Sequence, residues 1–307
     1  MDFRLDDDQV ALQRTVERLV EARFPLDGIA GREGAPVDRG AWAELADLGL
    51  FGLLRADSGL GLVEAALAFE VLGSHLVPGP MLWTAVAAPL VEGAADGTTV
   101  VGGVTAVDGP DVVEHAADLD LVLVLHDDHV AAHEVVAHEP LVPLDALTPV
   151  GRVELGPPEV VGDRVAATDL RRQGTVLSAA MAVGIAARAL EVARTHALER
   201  EQFGVPIGSF QAVKHLLADR YVATTLAQSA TYAAAAEPDD RSVAAAKLLA
   251  TEAALDGAGT AVQVLGGMGF TWELLPNHLL KRAWVLAHAF GAGEDHAERL
   301  GAALVEG

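Results

Sequence analysis

Two short stretches gather residue types able to hold an anionic ligand. Residues 198–211 read LEREQFGVPIGSFQ and set Arg200, Gln202 and Phe203 beside Gly204, Pro206 and Gly208. A guanidinium is a forked donor that matches phosphate oxygens. Residues 263–271 read QVLGGMGFT and set Gln263 just ahead of Gly266, Gly267 and Gly269. Glycines let backbone N–H groups approach a pyrophosphate closely. Taken singly, each stretch also reads as an ordinary turn between helices, with an arginine that caps or solvates a helix end.

The flanking segments are helical. Before the first stretch, Val176, Ala180, Val183, Ala187 and Leu190 recur at spacings of three and four, one face of a helix. After it, Val213, Leu216, Leu217 and Val222 continue that spacing, with Ser209 as the expected N-cap. A break at Glu237-Pro238-Asp239-Asp240 separates two long helices, with Asp239 or Asp240 as N-cap. The next helix carries Val243, Leu248, Ala254 and Val262, and a further one carries Leu279, Leu280, Trp284 and Leu286. Long antiparallel helices with short links predict a four-helix bundle over residues 168–307.

Residues 1–85 also read as helical. Asp6 and Gln9 suit a capping box, Leu12, Val16, Leu19 and Val20 mark an apolar face, and 62–72 reads as another helix. Residues 86–167 change character and predict a small β domain. Strands are expected near 98–101, 119–125, 130–136, 141–147 and 153–155, with turns at Asp108-Gly109-Pro110 and Asp127-Asp128. Pro157, Pro158 and Gly162 lead into the next helix.

Composition narrows the function classes. The chain has 307 residues, no cysteine and a formal net charge of −23. Such a charge repels phosphate backbones and anionic membranes, so nucleic acid and lipid surfaces are not expected partners. Without cysteine there are no disulfides, thiolate metal sites or thiol nucleophile, and a cytoplasmic setting is expected. No unbroken apolar run approaches the length of a membrane span, and no signal peptide is evident. An anionic ligand would need local cations, for which Arg171-Arg172, Lys214 and Lys281-Arg282 are candidates.

The two stretches together resemble the acyl-CoA dehydrogenase family. E-R-x-x-F-G-x-x-I-x-x-F-Q followed by K-H-x-L-A-D is similar to the family's flavin-contacting turn. Q-x-x-G-G-x-G-F resembles its downstream segment, about sixty residues later here as there. Glu70 to Pro80 resembles a third motif, in which His75 is a packing or surface position. The resemblance implies a mostly helical α–β–α fold with a middle β domain and a C-terminal four-helix bundle. It implies FAD as cofactor, with Arg200, Gln202, Phe203, Gln263, Gly266 and Gly267 along the diphosphate and adenosine channel of a neighbouring subunit's flavin. It also implies α,β-dehydrogenation of an acyl-CoA thioester, with electrons passed to an electron-transfer flavoprotein.

The chain departs from that pattern where chemistry is done. The middle domain lacks the family's T-E-P-x-x-G-S-D stretch and its tryptophan strand against the flavin ring. The two positions that carry the family's catalytic glutamate are Phe290 and Gly174, and neither is a carboxylate. Glu294 and Asp295 lie a few residues beyond Phe290 and would serve only if the loop were rearranged; acids at a helix start are otherwise ordinary. The expected assembly is therefore a heteromer, a heterotetramer with a paralogous subunit that brings the glutamate, with a homodimer as the alternative. A different class of reading is a helical scaffold or binding protein that has lost flavin.

Overall fold

The structure, a computed structural model, describes residues 5–105 and 112–305. The turn expected at Asp108-Gly109-Pro110 lies outside them. Four helices come first: α1 (Asp7–Arg23), α2 (Arg39–Asp47), α3 (Leu62–Ser74) and α4 (Met81–Ala87). Asp6 caps α1 and forms the expected capping box with Gln9. Six strands follow: β1 (Val101–Thr105), β2 (Val112–Glu114), β3 (Leu121–Leu125), β4 (Val130–Leu141), β5 (Val150–Leu155) and β6 (Glu159–Gly162). The chain then turns helical again with α5 (Arg164–Glu199), α6 (Gln211–Ala236), α7 (Asp240–Leu265), α8 (Leu275–His288) and α9 (Gly293–Val305). Fold class is as the sequence implied: mostly helical, with one small sheet between two helical parts.

The sheet runs β1-β3-β4-β5-β2, with β6 on β4. Only β1 and β3 are parallel, Val101 facing Leu121. The long β4 pairs β3 with its first half and β5 with its second, shifting register between Val135 and Ala137. The strand expected at 141–147 is a loop beyond Leu141. Pro143 has no N–H for a ladder, and Asp145 accepts from the Leu147 N–H at 3.0 Å and the Thr148 hydroxyl at 2.7 Å, which curls the chain into a turn. Thr98 and Thr99 likewise stay outside β1, their hydroxyls bonded to the Gly93 and Glu92 carbonyls. The short β6 was hidden in the sequence by the Pro-Pro turn ahead of it.

The helix α5 is the axis of the C-terminal part. It starts at Arg164, earlier than the apolar periodicity shows, because Asp163 caps it by accepting from the Val165 and Ala166 N–H groups. By length and composition it is apolar enough to cross a membrane, yet its apolar window is 72% buried inside the fold, as suits a core helix. Helices α3, α6, α7 and α8 pack around it. Asp239, rather than Asp240, caps α7. At α6 the expected cap is corrected: Phe210 holds that place, because the Ser209 hydroxyl donates instead to the Pro206 carbonyl at 2.7 Å.

Candidate active site at the sheet–bundle junction

The first set of sequence-predicted residues lies at one end of the bundle. Helices α6 and α7 have 26 residues each and form an antiparallel hairpin, so the start of α6 and the end of α7 lie at the same end. Arg200 is the C-cap of α5, and a tiny ribbon, Glu201–Gln202 on Val205–Pro206, makes the turn. The Arg200 carbonyl accepts from the Ile207 N–H at 2.8 Å, while its exposed guanidinium pairs with no side chain among the described residues. Phe203 sits at φ +55° with its side chain 92% exposed. Gln202 bonds back to the Glu201 carbonyl. Across the hairpin, Gln263 is exposed, Gly266 turns the chain at φ +65°, and nothing lies within 4 Å of where a Cβ would stand on Gly266 or Gly267. Bare backbone and a free guanidinium on one exposed end are chemically suited to phosphate oxygens.

The two base positions meet at the other site. Gly174 lies in the first third of α5, and Phe290 lies just beyond α8, 4% exposed and at φ +58°. A methyl group on Gly174 would overlap the Phe290 ring. That ring also stacks on the indole of Trp83 from α4, with centroids 4.4 Å apart and planes at 29°. Trp83 in turn lies over Gly103 of β1, where an added Cβ would again overlap it. The order across the junction is thus β1 backbone, indole, phenyl, α5 backbone. Two absent side chains make room for two rings. A left-handed backbone costs a non-glycine residue roughly 1–2 kcal/mol, and burial of the aromatic ring offsets it.

Beside this stack is a cavity of about 470 Å³. Strands β1 and β2 form one wall, α4 and the end of α8 the other, and the Trp83 and Phe290 rings line it. The middle domain therefore keeps a ring-sized recess although its sequence lacks the family's ring-contacting stretch. Glu114 of β2 reaches into this recess. Its carboxyl is raised above the ordinary carboxylate range, chiefly by burial; Arg282 opposes and Asp145 adds to the shift. Sequence reading missed Glu114. The only local signal was alternation, which sets Val112 and Glu114 on one face of β2 and buried Val113 on the other.

Behind Glu114 the three parts of the chain are pinned together. Arg282 of α8 donates to Asp145 at 2.5 Å and to the Val77 carbonyl at 3.2 Å, with Asp145 fully buried. Burial works against the Asp145 charge, but Arg282 and the Thr148 and Leu147 donors hold its carboxyl below the usual range. His115, at φ +55°, accepts from the Gly79 N–H, and burial with Arg282 nearby pushes it down to about 3.

Beneath the Phe290 loop, Lys247 of α7 is fully buried. It donates to Ser178 at 2.9 Å and to the Leu286 carbonyl at 2.5 Å, and burial pushes it down to about 7. Its sequence sign was one lysine within an apolar helix run.

A second recess, about 430 Å³, opens where α5, α7 and α9 meet. Arg171, Arg172 and Arg299 line it with Thr168 and His296. Arg171 pairs with Asp127 at 3.2 Å and Arg172 with Asp240, which also lines the recess, at 2.9 Å, so Arg299 is the lining arginine without an acidic partner among the described residues. Glu294 and Asp295 line neither recess. They sit exposed in the first turn of α9, where Asp295 accepts from the Ala292 N–H at 3.0 Å.

Comparison with known proteins agrees with this geometry. The family model described as acyl-CoA dehydrogenase, C-terminal domain, matches residues 164–305. Acyl-CoA dehydrogenase IpdE2 of Mycolicibacterium smegmatis is 29% identical over 316 residues, covering 96% of this chain and 98% of that protein. Acyl-CoA dehydrogenase IpdE2 of Mycobacterium tuberculosis is 30% identical over 237 residues, 72% of this chain and 71% of that one. The solved ChsE4–ChsE5 complex from Mycobacterium tuberculosis contains a chain that superposes with a TM-score of 0.87 at 25% identity, over 100% of both chains. The resemblance first seen in two turns thus extends over the whole fold: this chain belongs to the acyl-CoA dehydrogenase family.

Proposed function

We propose that this chain is the base-less subunit of a heteromeric acyl-CoA dehydrogenase. The family consists of FAD-dependent oxidoreductases. In this reading the bundle end of the chain closes the diphosphate end of an FAD whose ring pocket and catalytic glutamate belong to an unlike subunit. The observation that carries it is the contact of Phe290 with Gly174. Both positions where the family keeps its base converge in space, and hydrocarbon fills the space between them.

When bound, FAD supplies the hydride acceptor for α,β-dehydrogenation of an acyl-CoA thioester. The work of this chain is binding. Arg200 pairs with diphosphate oxygens, Gly266 and Gly267 present backbone N–H groups, and Gln202, Phe203 and Gln263 line the same channel. The recess lined by Arg299, which has no acidic partner among the described residues, supplies a cation for the phosphates of coenzyme A, which the chain's overall charge would otherwise repel. Assembly with a second, different chain is supported by the matched structure being that of a ChsE4–ChsE5 complex. An electron-transfer flavoprotein is the proposed electron acceptor.

The test is the visible spectrum of the protein purified alone and with candidate partner subunits, followed by addition of acyl-CoA. Substrate-dependent bleaching only in the mixed sample supports the proposal. Bleaching by this chain alone overturns it.

A further inference from the structure

Around the Arg282–Asp145 pair, three N–H donors are closed off from solvent with no acceptor among the described residues. The first is on Arg282 itself, which is 4% exposed. Its Nε donates to Asp145 and its Nη1 to the Val77 carbonyl, which leaves Nη2 unpartnered. The second is Nη1 of Arg32, at the end of the 3-10 turn Ile29–Arg32 between α1 and α2. The other terminal nitrogen of Arg32 donates to the Pro25 carbonyl at 3.1 Å. The third is on His115, 2% exposed. Its Nε2 accepts from the Gly79 N–H, so the neutral ring carries its proton on Nδ1, and Nδ1 is buried without a partner.

The charges around these donors do not balance. Asp145 offsets Arg282. Lys281 lies over the Trp272 ring, and Glu33 and Asp145 offset its charge. Glu114 also feels Arg282, but burial raises its carboxyl toward the neutral form. Arg32 has no such offset. Burial lowers its guanidinium, the Arg282 charge lowers it further, and no carboxylate among the described residues opposes them. Two guanidiniums thus repel each other, each with a buried N–H that bonds to nothing. Both features cost free energy, and one negative charge between them removes both.

We propose that Arg32 and Arg282, together with the Nδ1–H of His115, form a binding site for one small inorganic monoanion, a halide such as chloride. The unmatched charge is a single one, so one monovalent ion neutralises it. Desolvation penalises a doubly charged ion more, which disfavours sulfate and phosphate in so enclosed a place. Arg32 belongs to the N-terminal helical part, His115 to the segment between β2 and β3, and Arg282 to α8. An ion held by all three therefore fastens the three parts of the fold together. None of the three residues lines either recess, and the inference does not depend on how the chain handles flavin.

The test is urea unfolding of the purified full-length chain in sodium chloride and in sodium gluconate at equal ionic strength. Gluconate is the control, a monovalent anion too bulky for an enclosed site. Chloride is expected to raise the midpoint. Above half-saturation, each tenfold rise in chloride should raise the folded-to-unfolded ratio about tenfold. Arg32→Leu should abolish the difference between the two salts, while Arg14→Gln, at an exposed arginine of α1, should leave it intact. Crystals grown in sodium bromide locate the ion. An anomalous peak is expected within hydrogen-bonding distance of Arg32 Nη1 and Arg282 Nη2. Equal midpoints for the parent in the two salts overturn the proposal and leave the donors to water. A chloride response that persists in Arg32→Leu also overturns it, as does a bromide map with no peak between the two guanidiniums. The salt comparison on the parent and the bromide map need no variant, so they decide the matter even if Arg32→Leu folds poorly.

Discussion

The ring of Phe290 rests directly on the backbone of Gly174, with no side chain between them. Adding a methyl group there should force the ring out of its stack with Trp83. Gly174→Ala is expected to destabilise the protein by about 1–3 kcal/mol, the usual range for overpacking. In the Phe290→Ala background the clash is gone, so the two changes together should cost less than their sum. Urea denaturation of both single variants and the double variant gives the coupling. Additive effects would show that the contact is absent in solution.

Arg200 should hold flavin in the full assembly. A charge-assisted contact of this kind is worth roughly 1.5–3 kcal/mol, about one to two decades of affinity. FAD binding to an assembly carrying Arg200→Ala should weaken by that amount. Unchanged affinity would remove Arg200 from the channel.

The acidic pair beyond Phe290 should be dispensable for proton removal. Glu294→Gln and Asp295→Asn, made in the active assembly, are expected to leave acyl-CoA-dependent bleaching in place. Asp295→Asn should cost only a little stability, through its bond to the Ala292 N–H. Loss of bleaching with flavin still bound would put the base on this chain, since a positioned base is worth on the order of 10²–10⁴-fold.

Breaking the Arg282–Asp145 pair should be severe. Asp145→Asn leaves a buried guanidinium without its counter-ion, at about 3–5 kcal/mol. Because the folded protein holds this carboxyl below its ordinary range, the stability it contributes is present above the unfolded value and is lost as the pH falls through the depressed one. Acid unfolding of the parent should show this loss, and the variant should not.

Lys247 should give a trend of the same sign at higher pH. Its folded value is about 7, below the ordinary lysine value of 10.5. Between those values the unfolded chain binds more protons, so stability should rise with pH across that window. Lys247→Met should flatten the rise. Denaturant midpoints measured from pH 7 to 10 compare the two.

The sequence by itself determined the helices, because their apolar faces repeat at spacings that need no distant partner, as in the run from Val176 to Leu190. It also determined that Arg200 stands at a chain turn and Gln263 just before one, and that neither family base position carries a carboxylate. Local side-chain bonding shifted several boundaries: Asp163 extends α5, Ser209 yields its cap to Phe210, and Asp145 turns an expected strand into a loop. Tertiary structure alone decided the junction. Gly103, Trp83, Phe290 and Gly174 come from a strand, a short helix, a loop and a long helix, and no periodicity links them. Glu114 acquires meaning only through the recess it faces, and Lys247 only through the depth at which the bundle buries it. A residue's chemistry is set by its neighbours' charge, bulk and exclusion of water, and those neighbours are chosen by packing between segments far apart in the chain.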